Sequence, residues 1–581
     1  MPYLIGGPRR EVLIEAGIYL QTPYTAPVDP VLRPETDFLP LDSGITADNS
    51  TGNEPSQIHL TIAGPNAISV NWATGKYKTG QGHLEPNDAF SSPSICKYGK
   101  AIKGDWLNSF AHLPNWIQTI TANFNLFPKQ IATGTAQTYS QIYNTSYAFW
   151  GGASTLNYTS PVLHTVVLPD LEPDTEYYFE CGDGITFSPP LTFRSLKAAG
   201  ADYPQRLLLI ADWGLSYNSS TTLDHILNSA QQATSPPAVL YIADFSYADT
   251  WFPNGTVTNP NTAYEGSPNG GTWQPVWDSW QRFVQPLVGK VPMIGSTGNH
   301  EEEQEADGTI FKAVQARWPT PHAASGSPSY FFYSADVGPS HNIFLSNYVD
   351  YTEGSAQWIW LKQDLADIDR TKTPWVTVNF HNPWYTTDPS YKEFEQMREA
   401  MEPLTYQYGV DLFFYGHVHA YERTTPVYNY NDGGNSEGLS FLTSKYVPNP
   451  QHQFEDLNGG CPNVTVDTGF ASRPFYLVPL NPSKDPWSWY QRTLTFQADG
   501  NSTGIGNPLG YCYKEQPAWS EYRESSFGHG TLDMVNATHA LWRWHANQDG
   551  NAVARDEIYI IRDTGACPNK GGSGIAPPVS G

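Results

Sequence analysis

Apolar residues follow two rhythms along the chain. In the first, apolar and polar positions alternate. Ile58-His59-Leu60-Thr61-Ile62 alternates, and Ile68-Ser69-Val70-Asn71-Trp72 does so again after a Gly-Pro-Asn turn, so strand, turn, strand is expected. His164-Thr165-Val166-Val167-Leu168 and Leu171 to Gly182 extend the pattern, and Leu191-Thr192-Phe193 closes it. From Arg206 the rhythm becomes strand, loop, helix. Leu207-Leu208-Leu209-Ile210 is a continuous apolar run, as a strand covered on both faces requires. A helix is expected after it, with Leu223, Ile226, Leu227 and Ala230 on one face.

Four more short apolar runs repeat this grammar. Ala238 to Ile242 ends in Ala243-Asp244-Phe245-Ser246-Tyr247, and Val291 to Ile294 leads to Gly298-Asn299-His300-Glu301. Trp375 to Val378 leads to Phe380-His381-Asn382-Pro383-Trp384-Tyr385, and Leu412 to Tyr415 stops at Gly416-His417-Val418-His419. The first run ends in Ala211-Asp212-Trp213-Gly214. On extended backbone, residues i and i+2 point the same way, so His417 and His419 can reach one point or two adjacent points. An HxH alone is more often two ordinary histidines than a metal site. Five strands that each end in Asp, Asn or His are another matter. In open α/β sheets the carboxyl ends of the strands form the ligand-binding edge, and these side chains are all metal-ligand types.

The bulk numbers narrow the class. With 581 residues the chain exceeds one compact core, and two or more domains are expected. A net charge of −25 and a pI near 4.9 argue against a basic nucleic-acid-binding face. Charged residues are only 15% and aromatics 14%, with 19 Trp and 35 Tyr, which suits a loop-rich, sheet-rich globular protein rather than disorder. No run of 18 apolar residues occurs, so no membrane span is expected. Met1 to Leu20 carries Arg9, Arg10, Glu11 and Glu15 and does not read as a signal peptide. Asn-x-Ser/Thr triplets nevertheless stand at Asn49, Asn144, Asn157, Asn218, Asn254, Asn463, Asn501 and Asn536, which together favour a secreted glycoprotein. The five cysteines, Cys96, Cys181, Cys461, Cys512 and Cys567, lack CxxC spacing, which disfavours a zinc–thiolate site. Connectivity is not readable from spacing; Cys96 with Cys181 is the expected pair because both fall in the first domain.

These residues carry a family resemblance. The calcineurin-like metallophosphoesterases, and the purple acid phosphatases among them, show five blocks: DxG, GDxxY, GNHE, VxxH and GHxH. Here the blocks stand in that order as Asp212-x-Gly214, Ala243-Asp244-x-x-Tyr247, Gly298 to Glu301, Val378-x-x-His381 and Gly416-His417-x-His419. The resemblance runs over roughly residues 57 to 562 and includes Gly433-Gly434-Asn435-x-Glu437-Gly438, Ser526 to Gly530 and Asn536 to Ala540. The Leu171-x-Pro173-x-Thr175-x-Tyr177 turn resembles a fibronectin type III sandwich. The fold so implied is a four-layer α/β/β/α metallophosphoesterase sandwich behind an N-terminal all-β fibronectin type III-like domain. The expected organisation is an arm over 1–54, the β domain over 55–198 with an insertion at about 80–160, the catalytic domain over 203–567 with an insertion at about 440–520, and a tail over 568–581. Two departures stand out. Ala243 replaces the family glycine, and Thr386 to Lys392 holds no histidine where plant members place two near the substrate.

The resemblance implies a binuclear centre. Asp212, Asp244, Tyr247 and His419 would hold one metal; Asp244, Asn299, His381 and His417 would hold the other, with Asp244 shared. A phenol with an ordinary pKa of about 10 ligates as phenolate only beside a strong Lewis acid, so Fe(III) suits the first position. The second donor set suits a divalent Zn, Mn or Fe. Two metals roughly 3.5–4 Å apart clamp a phosphoryl group and supply a hydroxide nucleophile, and a trivalent ion extends this into acid. His300 adjoins a ligand and is the candidate general acid or phosphate contact. Tyr385 and Tyr391 are candidate substrate contacts, with core packing favoured for Tyr385. Glu422 and Arg423 are expected to buttress the loop. The activity implied is that of a secreted acid phosphatase acting on phosphate monoesters. A diesterase, pyrophosphatase or phytase on the same metals is the alternative, and a non-catalytic extracellular binding protein is disfavoured by the intact ligand set. The expected partners are small phosphate esters, without nucleic acid or membrane, and a homodimer is left open.

Overall fold

A computed structural model describes residues 24–25, 38–101, 130–250, 272–424, 427–432, 444–448 and 520–562, with short breaks inside these ranges. The insertions expected at 80–160 and 440–520 lie largely outside the described residues, as does Tyr391.

The alternating N-terminal segment folds into an all-β sandwich. Its main strands are β1 (Thr51–Gly64), β2 (Ala67–Lys78), β3 (Ile95–Lys100), β4 (Val162–Leu168), β5 (Glu176–Gly182) and β6 (Leu191–Arg194). One sheet carries β1, β2 and β4 side by side; the other carries β6, β5 and β3. β1 starts at Thr51, ahead of the alternation seen from Gln57. The reason lies in its register with β2, which slips between Gly52 and Ser56 and again before His59, so no period of two survives there. At the turn into β5 the Tyr177 hydroxyl accepts the Glu172 amide at 2.9 Å, the corner contact that the sequence pattern implies. Cys96 and Cys181 face each other across β3 and β5 and form a disulfide.

Two sheets pack face to face in the second domain. The first runs β9-β8-β7-β16-β17-β18, where β7 is Gln205–Ile210, β8 Ala238–Tyr241, β9 Met293–Gly295, β16 Gly528–Met534, β17 His539–Ala546 and β18 Asp556–Arg562; the strand Ser444–Pro448 closes its edge. The second runs β10-β11-β12-β13: Tyr333–Val337, Ser340–Phe344, Trp375–Asn379 and Leu412–Phe414. Between the GHxH motif and β16 lie β14 (Tyr421–Thr424) and β15 (Ser520–Glu524), which pair with each other. The continuous apolar runs are explained by burial on both faces. Leu207 and Leu209 point into the core between the sheets, whereas Leu208 and Ile210 point outward against helices. Helices α1 (Tyr217–Gln231) and α2 (Pro275–Val288) cover that outer face with Leu223, Ile226, Trp277, Trp280 and Phe283. On the other side α3 (Ala356–Asp367) and α4 (Glu395–Gln407) cover Val376 and Val378 with Leu361, Leu365, Met397 and Met401. Deleting one such core leucine to alanine costs on the order of 2–5 kcal/mol. The layers are therefore α, β, β, α.

The two domains are locked together by polar groups as well as apolar ones. Arg317 is fully buried and donates to Asp278 at 2.9 Å and to Tyr158 at 2.7 Å. The Gln57 amide reaches Asp278 at 3.1 Å, and the Ile58 amide reaches Gln285 at 2.8 Å. Residues of the N-terminal arm also dock. The Leu39 amide donates to the Leu215 carbonyl at 3.0 Å, just past the Asp212–Gly214 loop.

Candidate metal centre

Every strand end singled out in the sequence arrives at one place. Asp212 follows β7, Asp244 and Tyr247 follow β8, Asn299 follows β9, His381 follows β12, and His417 and His419 follow β13. Side chains from the carboxyl ends of β7, β8 and β9 thus meet those from β12 and β13. Among the described residues two buried groups of donors lie close enough to hold an ion: Asp244, His381 and His417, and Asp212, Asp244 and His419. Asp244 belongs to both.

The contacts test whether cations fit. Three acceptors converge on one ring nitrogen, His381 Nε2: Asp244 Oδ2 at 2.9 Å, Asn299 Oδ1 at 3.0 Å and His417 Nδ1 at 3.2 Å. A ring nitrogen carries at most one hydrogen, so it satisfies one of them; a cation satisfies all. The other ring nitrogen of His381 lies 3.3 Å from the Ile242 carbonyl, which holds the proton at Nδ1 and turns the Nε2 lone pair inward. Tyr247 Oη sits 3.0 Å from His419 Nε2, 3.3 Å from Asp212 Oδ1 and 3.4 Å from Asp244 Oδ2. These sets of carboxylate, amide and phenol oxygens and imidazole nitrogens match metal-ion chemistry. In the absence of cations, burial opposes a charge on His381, but Asp244 and Asp212 outweigh it and push its pKa up to about 9. Ions at the same point would repel that proton instead.

The loops that carry these donors are strained. Asp212, Ala243, Asp244, Tyr247 and His417 all have φ between 52° and 69°. Such backbone costs energy for residues with a Cβ and persists where the surroundings over-determine it. Ala243 thus does adopt the positive φ (68°) that its place in the motif demands. Gly298 is needed for another reason: a Cβ there would lie 2.0 Å from Asp244 Oδ1.

Two carboxylates that the motif reading left without a role organise the site. Glu301 is fully buried. Its Oε2 accepts the amides of Asp244 at 3.0 Å and Gly298 at 2.9 Å, and its Oε1 accepts that of Phe245 at 2.7 Å. It grips the shared-aspartate loop from behind. Its place in the GNHE block was a usable signal. Asp249 had none, being a lone acid in a loop. Both its oxygens lie 2.8 Å from His300 Nδ1. His300 Nε2 in turn is 4.0 Å from Asp244 Oδ2. Burial opposes a charge on His300, yet Asp249 and Asp244 outweigh it and push its pKa up to about 10.

The remaining candidates are placed as follows. Tyr385 is buried, donates its hydroxyl to Glu402 and stands 5.8 Å from the Arg398 guanidinium. Glu422 accepts from Thr386 at 3.2 Å and Ser520 at 2.6 Å; Arg423 pairs with Asp556 at 2.7 Å. His529, which the sequence left without a role, is buried against Ser229 of α1 at 2.8 Å and stacked on His545. Of the sequon asparagines, Asn157 and Asn536 are exposed, while Asn218 is buried at the start of α1. Asn254, Asn463 and Asn501 lie outside the described residues, and Asn144 ends a short strand.

Comparison with known proteins bears on this geometry. The chain matches the calcineurin-like phosphoesterase family over residues 205–421, the purple acid phosphatase N-terminal domain over 55–195, and the iron/zinc purple acid phosphatase-like protein C family over 500–555. It is 34% identical to purple acid phosphatase 15 of Arabidopsis thaliana, covering 94% of this chain and 92% of that one. The chain belongs to the purple acid phosphatases. Another relative, the Fe(3+)-Zn(2+) purple acid phosphatase 12 of Arabidopsis thaliana, is 35% identical over 70% of this chain and 73% of its own. A solved purple acid phosphatase from yellow lupin (Lupinus luteus) seeds superposes with a TM-score of 0.57 at 19% identity, over 88% of this chain and 75% of that one, and so shares the fold. This purple acid phosphatase is a metal-dependent hydrolase, a phosphatase working on a binuclear metal centre. Its substrates are small phosphate esters.

Proposed function

We propose that this purple acid phosphatase hydrolyses phosphate monoesters in the acid range at an Fe(III)–M(II) pair, with M a Zn, Mn or Fe ion. The observation that carries the reading is the asymmetry of the two donor groups around Asp244. One has Tyr247 Oη beside Asp212 and His419; the other has the Asn299 amide beside His381 and His417. A phenolate donor on one side only matches a trivalent ion there and a divalent ion opposite, and the name of the Fe(3+)-Zn(2+) relative supports the same pair. When bound, the two ions supply charge that fixes the phosphoryl group and an activated water.

The chain's own residues do the rest. Asp244 ties the two positions together, and Glu301 keeps its loop in the strained conformation that aims it. His381 presents Nε2 because the Ile242 carbonyl holds Nδ1. His300 carries a proton whose charge Asp249 balances, at an atom 4.0 Å from Asp244. Ions at the centre would oppose the contribution of Asp244, so Asp249 is the carboxylate that keeps His300 charged. From there the imidazolium binds a phosphate oxygen or protonates the departing alkoxide. We assign Tyr385 to holding its loop through Glu402 rather than to substrate. Secretion fits the Cys96–Cys181 disulfide and the exposed sequons at Asn157 and Asn536. Buried Asn218 leaves a glycan no room. Among the described residues no helix is long and apolar enough to cross a membrane.

The test is spectroscopic. Iron-replete protein should show a visible charge-transfer band from Tyr247 phenolate, and Tyr247→Phe should abolish or shift it. A wild-type protein that binds iron and hydrolyses phosphate monoesters without such a band overturns the Fe(III)–phenolate assignment.

A further inference from the structure

The second donor group is organised on His381, since Asp244, Asn299 and His417 all meet its Nε2. The contact from its Nδ1 to the Ile242 carbonyl fixes the tautomer but, at 3.3 Å, holds the ring weakly. The backbone must therefore decide where the imidazole points. The next residue, Asn382, is buried and is gripped by two consecutive residues of one turn. Its amide donates to Asn347 Oδ1 at 3.0 Å, and its carbonyl accepts from Asn347 Nδ2 at 3.3 Å. Its side-chain oxygen accepts the Tyr348 hydroxyl at 2.5 Å. The Tyr348 ring also lies beside that of His381, with centroids 6.4 Å apart.

The turn is itself anchored. The Ser346 amide donates to the side chain of buried Gln357 of α3 at 2.8 Å, and the Gln357 amide group returns a bond to the Ser346 carbonyl at 3.0 Å. The Ser346 hydroxyl accepts the Tyr348 amide at 3.1 Å. Tyr348 also reaches toward the Asn299 loop. Its ring packs 5.9 Å from that of Phe311, whose amide donates at 3.0 Å to the carbonyl of Glu302, just beyond Asn299. One side chain thus touches the loop that carries His381 and a residue bonded to the loop that carries Asn299. Asp212, Tyr247 and His419 stand on other loops, after β7, after β8 and ahead of β14. Donors that converge on one ion must be held to roughly 0.5 Å by packing and by hydrogen bonds behind them.

We propose that Tyr348 is a positioning residue for the second metal position. Its hydroxyl on Asn382 and its ring on Phe311 fix His381 relative to Asn299, and so set the affinity for the divalent ion without setting that for Fe(III). The inference rests on the two-ion reading above.

The experiment titrates Zn(II) into the full chain carrying Fe(III) alone, by calorimetry, while iron content and the visible band are followed. Tyr348→Phe keeps the ring and drops the hydroxyl. Its Zn(II) affinity should fall about 10-fold, the lower end of the scale for groups that support metal ligands. Its iron content and the Tyr247 charge-transfer band should match wild type. Asn382→Ala should weaken Zn(II) by a similar factor. The double variant should be no weaker than Asn382→Ala alone, because groups that act through one contact are not additive. Zn(II) affinity within 2-fold of wild type in folded Tyr348→Phe overturns the proposal. So does an equal loss of iron, which marks a general loosening of the fold, and so does a double variant in which the two effects simply add. A wild-type chain that takes up one ion only would instead remove the two-ion reading on which the positioning role rests.

Discussion

Replacing Glu301 by glutamine tests how the centre is held rather than what it binds. The side chain is fully buried and serves three backbone amides, those of Asp244, Gly298 and Phe245. Glutamine has the same shape but only one acceptor oxygen. Its best placement keeps that oxygen where Oε2 was, retaining Asp244 and Gly298. The NH2 group then faces the Phe245 amide, two donors where the carboxylate now accepts at 2.7 Å. One charge-assisted bond is lost and one buried N–H is stranded, a cost of about 1–3 kcal/mol. Alanine would strand all three amides, roughly 3–9 kcal/mol, which rivals the 5–15 kcal/mol that holds a typical domain together. Glutamine is therefore the informative change. A large domain loses roughly 2–4 °C of thermal midpoint per kcal/mol, so a fall of several degrees is expected. Metal affinity should weaken about 10- to 100-fold, because a residue that orients ligands tunes affinity on that scale. Amide exchange at Asp244 and Phe245 should accelerate. A variant with wild-type thermal midpoint and wild-type metal affinity would refute the claim that Glu301 aims Asp244.

Three further outcomes follow from the same geometry. Asp249→Asn should cut kcat on the order of 10²-fold with metal content retained, and should move the alkaline limb of the pH profile to lower pH, because His300 loses the carboxylate that raises its pKa; an unchanged profile rules out the pairing. His341, against which burial acts first, is nevertheless raised to about 9 by hydrogen bonds to Asp336 and Asp364. Its contribution is present in full below pH 6.5 and lost as pH rises through about 9, so the destabilisation caused by His341→Ala, about 2 kcal/mol after allowing for solvent around Asp336, should fade between those values in denaturant titrations. Ala243→Gly removes a left-handed alanine worth about 1–2 kcal/mol of strain and a buried methyl worth about 0.8 kcal/mol. Its thermal midpoint should therefore stay level or rise slightly, where an ordinary buried alanine would lose stability; a clear drop refutes the strain.

The seven candidate donors were legible in the sequence because each stands within a few residues of the end of a short apolar run. A strand end is a local pattern, and so is the choice of donor. The alternating N-terminal domain was legible for the same reason, including the Tyr177 corner, whereas the Cys96–Cys181 pair was expected only from both cysteines falling in one domain. The first turns of β1 were not, since a slipped register destroys the period that signals a strand. What only the tertiary structure decided is which distant groups meet. Glu301 reaches Asp244 across 57 residues, and Asp249 reaches His300 across 51. Phe394, at the start of α4, joins Tyr348 and Tyr351 of a separate turn. The Leu39 amide ties the arm to Leu215, a contact that a Pro-rich aperiodic stretch gives no sign of. The sequence could name the donors around the centre, because ligand chemistry is a property of single side chains. It could not name their supports, because a buried carboxylate or a half-exposed ring acquires its role from the partner that folding brings to it, and no local period encodes that partner.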